Sequence, residues 1–121
     1  MTGPYRIRAA GALIGTAALD GFDPTTAVAF GRMVPGPGYA AVRAVFVASA
    51  RLPASGLTDD PRWRAYVLAR DALALALEAA DGRGVAARWI HIEDFQDERG
   101  PGAIEIAVHV LEPGFFTALD R

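Results

Sequence analysis

Both histidines of the chain lie in segments that alternate apolar with polar residues, Trp89-Ile90-His91-Ile92-Glu93 and Glu105-Ile106-Ala107-Val108-His109. Successive side chains of an extended strand point to opposite faces. The odd positions Trp89, His91, Glu93, Glu105 and His109 therefore share one face, and the isoleucines and valines share the other. Antiparallel registers with an even residue sum set His91 opposite Ala107 or Glu105. Such a face is open to three kinds of chemistry. His91, Glu93 and His109 offer the nitrogen and oxygen donors that zinc or iron(II) accepts. A histidine beside a carboxylate moves protons near neutral pH. Trp89 beside small alanines, with charge at the margin, has the make-up of a binding anchor and its polar rim. The plain alternative is the solvated side of a half-covered antiparallel sheet. No HExxH motif and no third histidine accompany these residues, so no cofactor or metal is expected and catalysis is the lesser reading.

A second candidate is the acidic stretch running from Glu93 to Glu98. Its residues Asp94, Asp97 and Glu98 fall in an expected loop over residues 94–102. It lacks the glycine and alternating oxygen ligands of a calcium loop, and its charge could instead mask a basic partner. Pro35-Gly36-Pro37-Gly38 stands before a helix, but prolines supply no N–H groups for a phosphate and no lysine follows at P-loop spacing, so it reads as a turn. Ser49 and Ser55 have no nucleophile-elbow context. Phe115 and Phe116, after Pro113-Gly114, are expected to fold back on the core.

The elements that must position these residues follow from periodicity. Tyr5-Arg6-Ile7-Arg8 alternates as a strand does, and Ala10-Gly11 turns it back into a strand over residues 12–17. Gly21-Phe22-Asp23-Pro24 reads as a loop, and residues 26–34 as a third strand. Over residues 39–50, Tyr39, Val42, Val45, Phe46 and Ser49 form one helical stripe, with Arg43 and Arg51 off it. Asp60 followed by Pro61 signals the start of a second helix, whose inner stripe is Trp63, Tyr66, Val67 and Arg70. In residues 73–80 propensity favours helix, whereas Leu73, Leu75 and Leu77 alternate and Asp81-Gly82 is a hairpin signal. The strand is the preferred reading. A two-residue turn there pairs Leu73 with Ile90, Leu75 with Arg88 and Leu77 with Ala86. It sets the leucines on the face of Ile90 and Ile92, with Ala74 and Ala76 flanking the polar face. The expected fold is a single α+β domain over residues 1–121. Its mostly antiparallel sheet has an N-terminal hairpin and a C-terminal three-stranded meander (73–80, 85–93, 103–111), with two helices packed on one face.

Composition narrows the function classes. Leu, Ile, Val and Phe number 31 and alanine alone 25, enough for a core although less bulky than the 52% hydrophobic content suggests. The net charge of −2 argues against a nucleic-acid binder. The charge is uneven. Residues 1–58 carry five arginines against two acids, and residues 59–121 carry seven against twelve. All 12 basic residues are arginines, which reads as codon bias of a GC-rich genome. With no cysteine there is neither a disulfide frame nor a thiolate site, which suits the cytoplasm. Residues 9–19 follow two arginines as a signal peptide would but are short and glycine-containing. No run approaches the length of a membrane span.

Tyr5-x-Ile7, Gly11, Gly15, Asp23-Pro24, Gly31-Arg32 and Pro35 before Tyr39 resemble small uncharacterised bacterial proteins, as does Ile90-His91-Ile92-Glu93-Asp94-Phe95. The resemblance implies no activity. The expectation is a non-catalytic bacterial protein-binding module, such as an immunity or antitoxin-like inhibitor or a small accessory subunit. Its partner would be another protein, either a basic toxin or a second copy in a homodimer. The alternative is a small metal-dependent or acid/base enzyme built on the His/Glu cluster.

Overall fold

The charged Arg6 and Arg8 alternate with buried Tyr5, Ile7 and Ala9, and this period of two opens an antiparallel sheet of seven strands. In the computed structural model, which describes residues 4–52 and 60–111, the strands are β1 (Tyr5–Ala9), β2 (Ala12–Asp23), β3 (Val28–Pro35), β4 (Leu75–Glu78), β5 (Gly84–Val85), β6 (Ala87–Asp94) and β7 (Ile104–Val110). Their order in the sheet is β5-β4-β1-β2-β3-β7-β6. The helices are α1 (Arg43–Ala50), entered through a 3-10 turn at Tyr39–Ala41, α2 (Pro61–Ala72) and the single turn α3 (Gln96–Arg99) between β6 and β7.

One face of the sheet holds the core. Ile7, Ile14, Ala17, Met33, Leu77, Ile90, Ile92 and the even-numbered residues Ile104–Val110 of β7 are buried there with Phe46 of α1. The expected stripe of α1 is the one observed, since Tyr39, Val42, Phe46 and Ser49 are all buried. α2 begins as its sequence signals: Asp60 Oδ1 accepts the Arg62 backbone N–H at 2.8 Å, with Pro61 in the first turn. α1 packs on β6, and α2 packs on α1.

Three expectations need correcting. β2 runs on to Asp23, so Gly21 and Phe22 lie in a strand and not in a loop. A bulge between Ala18 and Gly21 bends β2 there and lets it stay paired with β3. Gly31 serves that bend, because a Cβ at this position would stand 1.8 Å from the Ala18 carbonyl oxygen. Second, residues 73–80 divide. Leu73 caps α2, Ala74 has a positive φ of 52°, and the strand covers only Leu75–Glu78.

Third, the three-stranded meander does not form. The turn after β4 is one residue longer than expected, with Ala79 N–H on Arg83 C=O and Gly82 at φ 89°. Leu77 therefore meets Val85, Glu78 meets Gly84, and the pairing ends there. At Ala86 the chain leaves β4 and continues as β6 beside β7. β4 pairs instead with β1 along its other edge. Ala74 and Ala76 consequently do not pair with β6, and they line a cleft together with Arg88 and Trp89 instead. Because β5 and β6 are consecutive yet occupy opposite ends of the strand order, the sheet curls until its two edges approach each other. Among the described residues no helix is long and apolar enough to cross a membrane. The expected fold-back of Phe115 and Phe116, and Ser55, lie outside the described residues.

Candidate functional site

Alternation along β6 and β7 brings Trp89, His91, Glu93, Glu105 and His109 onto the side of the sheet away from the core. The register pairs Trp89 with His109, His91 with Ala107 and Glu93 with Glu105. The next strand is β3, which sets Val28 beside His109, Phe30 beside Ala107 and Arg32 beside Glu105. Phe30 and Arg32 were not among the sequence candidates. They alternate correctly, but only the sheet order places β3 next to β7.

The face is a trough with a low floor. Phe30 is 48% exposed, and its ring lies over Gly21, where a Cβ would come within 2.4 Å of it. With the ring turned that way, the space above Ala107 stays empty. Two shallow depressions adjoin there, about 620 Å³ beside Trp89, His109 and Val28, and about 450 Å³ beside His91, Arg32 and Glu105. The Trp89 and His109 rings stand 5.7 Å apart, tilted by 45°.

The two histidines differ in their surroundings. β6 is an edge strand, and α2 reaches around that edge. The Tyr66 hydroxyl stands 2.8 Å from His91 Nδ1, and Trp63 and Tyr66 ring centroids lie 5.8 and 5.3 Å from the imidazole. The Tyr66 oxygen also meets the Ile92 backbone, Arg70 and Ser49, and in its hydrogen bond with His91 the tautomer of the imidazole sets which group donates. Nε2 faces a Glu93 oxygen at 3.7 Å, too far for a hydrogen bond. Burial pushes the Tyr66 phenol up. Tyr66 sits on the stripe read from the sequence, but its contact with a residue 25 positions away depends on how α2 docks. Glu93 and Glu105 oppose each other as like charges, relieved by Arg99 at 3.2 Å from Glu105. Among the described residues no three His, Asp or Glu side chains converge on a position that could hold a metal ion.

The acidic stretch takes a different form from the expected loop. Asp94 is the last residue of β6 and is 2% exposed. Its carboxylate accepts from Tyr39 Oη at 2.5 Å, Arg43 Nε at 3.1 Å, and Gln96 N and Nε2 at 2.9 and 3.1 Å. Burial alone would raise its pKa, but donation from Tyr39 and Gln96, with the Arg43 charge, holds it below the ordinary value. The Tyr39 phenol is pushed far up by burial and by the carboxylate it donates to. Asp97 pairs with Arg43 at 2.9 Å and with Arg51 at 3.7 Å, and Glu98 stands 4.0 Å from Arg51. The two arginines that the helical stripe left over thus offset part of the charge of these three acids within the chain.

No protein-family model matches this chain, and no curated protein or solved structure does so either.

Proposed function

We propose that this protein is a binding module that engages another protein through the open sheet face, acting as an inhibitor of the immunity or antitoxin type or as a small accessory subunit. The observation carrying the proposal is the trough over Ala107. Among the described residues nothing covers its run of Phe30, Ala107, Trp89 and His109, with Arg32, Glu93 and Glu105 at the margin. An aromatic patch with a charged border is the usual make-up of a recognition surface. Asp97 and Glu98 contribute less to such a surface than the sequence suggests, because Arg43 and Arg51 already offset them.

The test is differential capture. Wild type, a face variant (Phe30→Asp plus Trp89→Ser) and a loop variant (Asp97→Ala plus Glu98→Ala) are compared against the products of neighbouring genes. A product held by wild type and the loop variant but released by the face variant supports the reading. Equal retention by the face variant overturns it.

The Tyr66–His91 hydrogen bond favours a second reading, acid/base chemistry at His91, with Glu93 as its neighbour. That reading requires a turnover that His91→Asn abolishes and the face variant of Phe30 and Trp89 retains in part.

A further inference from the structure

A surface helix ordinarily turns its polar side to solvent. α2 does so only along its edges. Between the edges marked by Arg62 and Arg64, its outward side is made of Ala65, Leu68, Ala69 and Ala72. All four are exposed, Leu68 at 73%. On the side toward α1 this apolar surface runs into a groove. Ala65, Tyr66 and Ala69 line it from α2, and Val45, Ala48 and Leu52 line it from α1 and the residues just past its end. On α2 the spacing of Arg62, Ala65, Tyr66 and Ala69 is that of one helical face, about 10 Å or two turns long. The groove has a volume of about 420 Å³. Its walls are low because alanines form half of them, so a leucine or phenylalanine from another helix has room to enter.

The charges at the rim have one sign. Among the described residues the charged side chains that line the groove are Arg51 and Arg62. Arg62 is held by Asp60 at 2.9 Å. Arg51 stands 3.7 Å from Asp97 and 4.0 Å from Glu98, beyond hydrogen-bond reach. Asp97 is already bonded by Arg43 at 2.9 Å. Arg51 thus keeps guanidinium donors for a further carboxylate.

We propose that this groove receives an amphipathic helix of a partner protein, which sets large apolar side chains between Ala48, Ala65 and Ala69 and a carboxylate edge along Arg51 and Arg62. Such a helix is recognised by anchor residues one turn apart, and the arginines fix which of its edges lies toward the end of α1. The proposal requires nothing of the reading above. Of the groove residues, Tyr66 alone also reaches the other site, through His91.

The experiment is an NMR titration of the full chain, labelled at its alanine methyls, with two capped helix-forming peptides. Both carry the same leucine face, and one is edged with glutamate, the other with lysine. The glutamate peptide should shift the methyls of Ala48, Ala65 and Ala69 and bind at least about tenfold more tightly than the lysine peptide. Arg51→Glu plus Arg62→Glu should reverse that order. Ala69→Gln puts a good helix former at an exposed position, so the urea midpoint should hold while the filled groove loses the glutamate peptide. Shifts confined to other alanines such as Ala107, equal affinity for the two peptides, or undiminished binding by Ala69→Gln would each overturn the proposal. So would self-association of the free chain that Ala69→Gln abolishes, because a second copy would then be the occupant. Phe30 and Trp89 do not line the groove, so failure here and failure of the capture experiment are read separately.

Discussion

The two ends of β6 are treated oppositely by the rest of the molecule. At the far end Ile92 and Asp94 are gripped by three elements, through Arg43 and Ser49 of α1, Tyr66 of α2, and Tyr39 of the 3-10 turn. At the near end Trp89 and Ile90 border open ground, with the trough on one side and the cleft on the other. The gripped end holds the buried polar groups and the close hydrogen bonds. The free end holds exposed aromatic surface and Arg88, which has no ion partner among the described residues. The difference teaches that the polar clustering at Asp94 serves the fold, whereas Trp89 and Arg88 are left beside open depressions where the helices stop.

The largest effect should come from the gripped end. Asp94→Ala leaves Tyr39 and Arg43 without their acceptor and should lower unfolding free energy by about 3 kcal/mol, read from urea midpoints. The same residue fixes a pH dependence. Its folded pKa lies below the unfolded value of about 3.9, so its contribution is present above that value and is lost as pH falls through the folded pKa. Asp94→Asn should therefore flatten the acid limb of the stability curve. An unchanged acid limb would show that Asp94 does not drive it.

Next in size, Tyr66→Phe removes the hydroxyl between His91 and the Ile92 amide and should cost about 1 kcal/mol. It should speed exchange of Ile92 while leaving Ile90 as it was, so equal acceleration of both amides would erase the contrast between the ends. At the free end Trp89→Ala should cost less than about 1 kcal/mol, since the ring lies on the side of the sheet away from the core, beside His109. A loss matching that of Asp94→Ala would mean the free end is as structural as the other. Smallest of all, Glu93→Gln relieves the like-charge pair with Glu105 and should raise stability by a few tenths of a kcal/mol. That gain should shrink in high salt.

Local rules reached some of these elements and failed at others. The Asp60-Pro61 start of α2, the buried stripe of α1 and the shared face of Trp89, His91, Glu93, Glu105 and His109 are properties of short segments, and all three appear in the structure. The meander failed because strand pairing is not a local property. One extra residue in the turn at Asp81-Gly82 moved Leu77 from Ala86 to Val85, and competition from β1 took the rest of β4. Arg43 lies off its helical stripe, and nothing in the local pattern names what it meets. Its carboxylate partners are 51 and 54 residues away.

By itself, then, the sequence determined which residues share a face and where the second helix begins, because both follow from backbone periodicity and end-capping within a few residues. Tertiary structure alone decided which face-mates are neighbours, that Asp94 is buried rather than part of an acidic loop, and that His91 is held by Tyr66 while His109 stands beside an open trough. Those outcomes depend on sheet order and helix docking, which join residues distant in the chain and leave no mark in its local pattern.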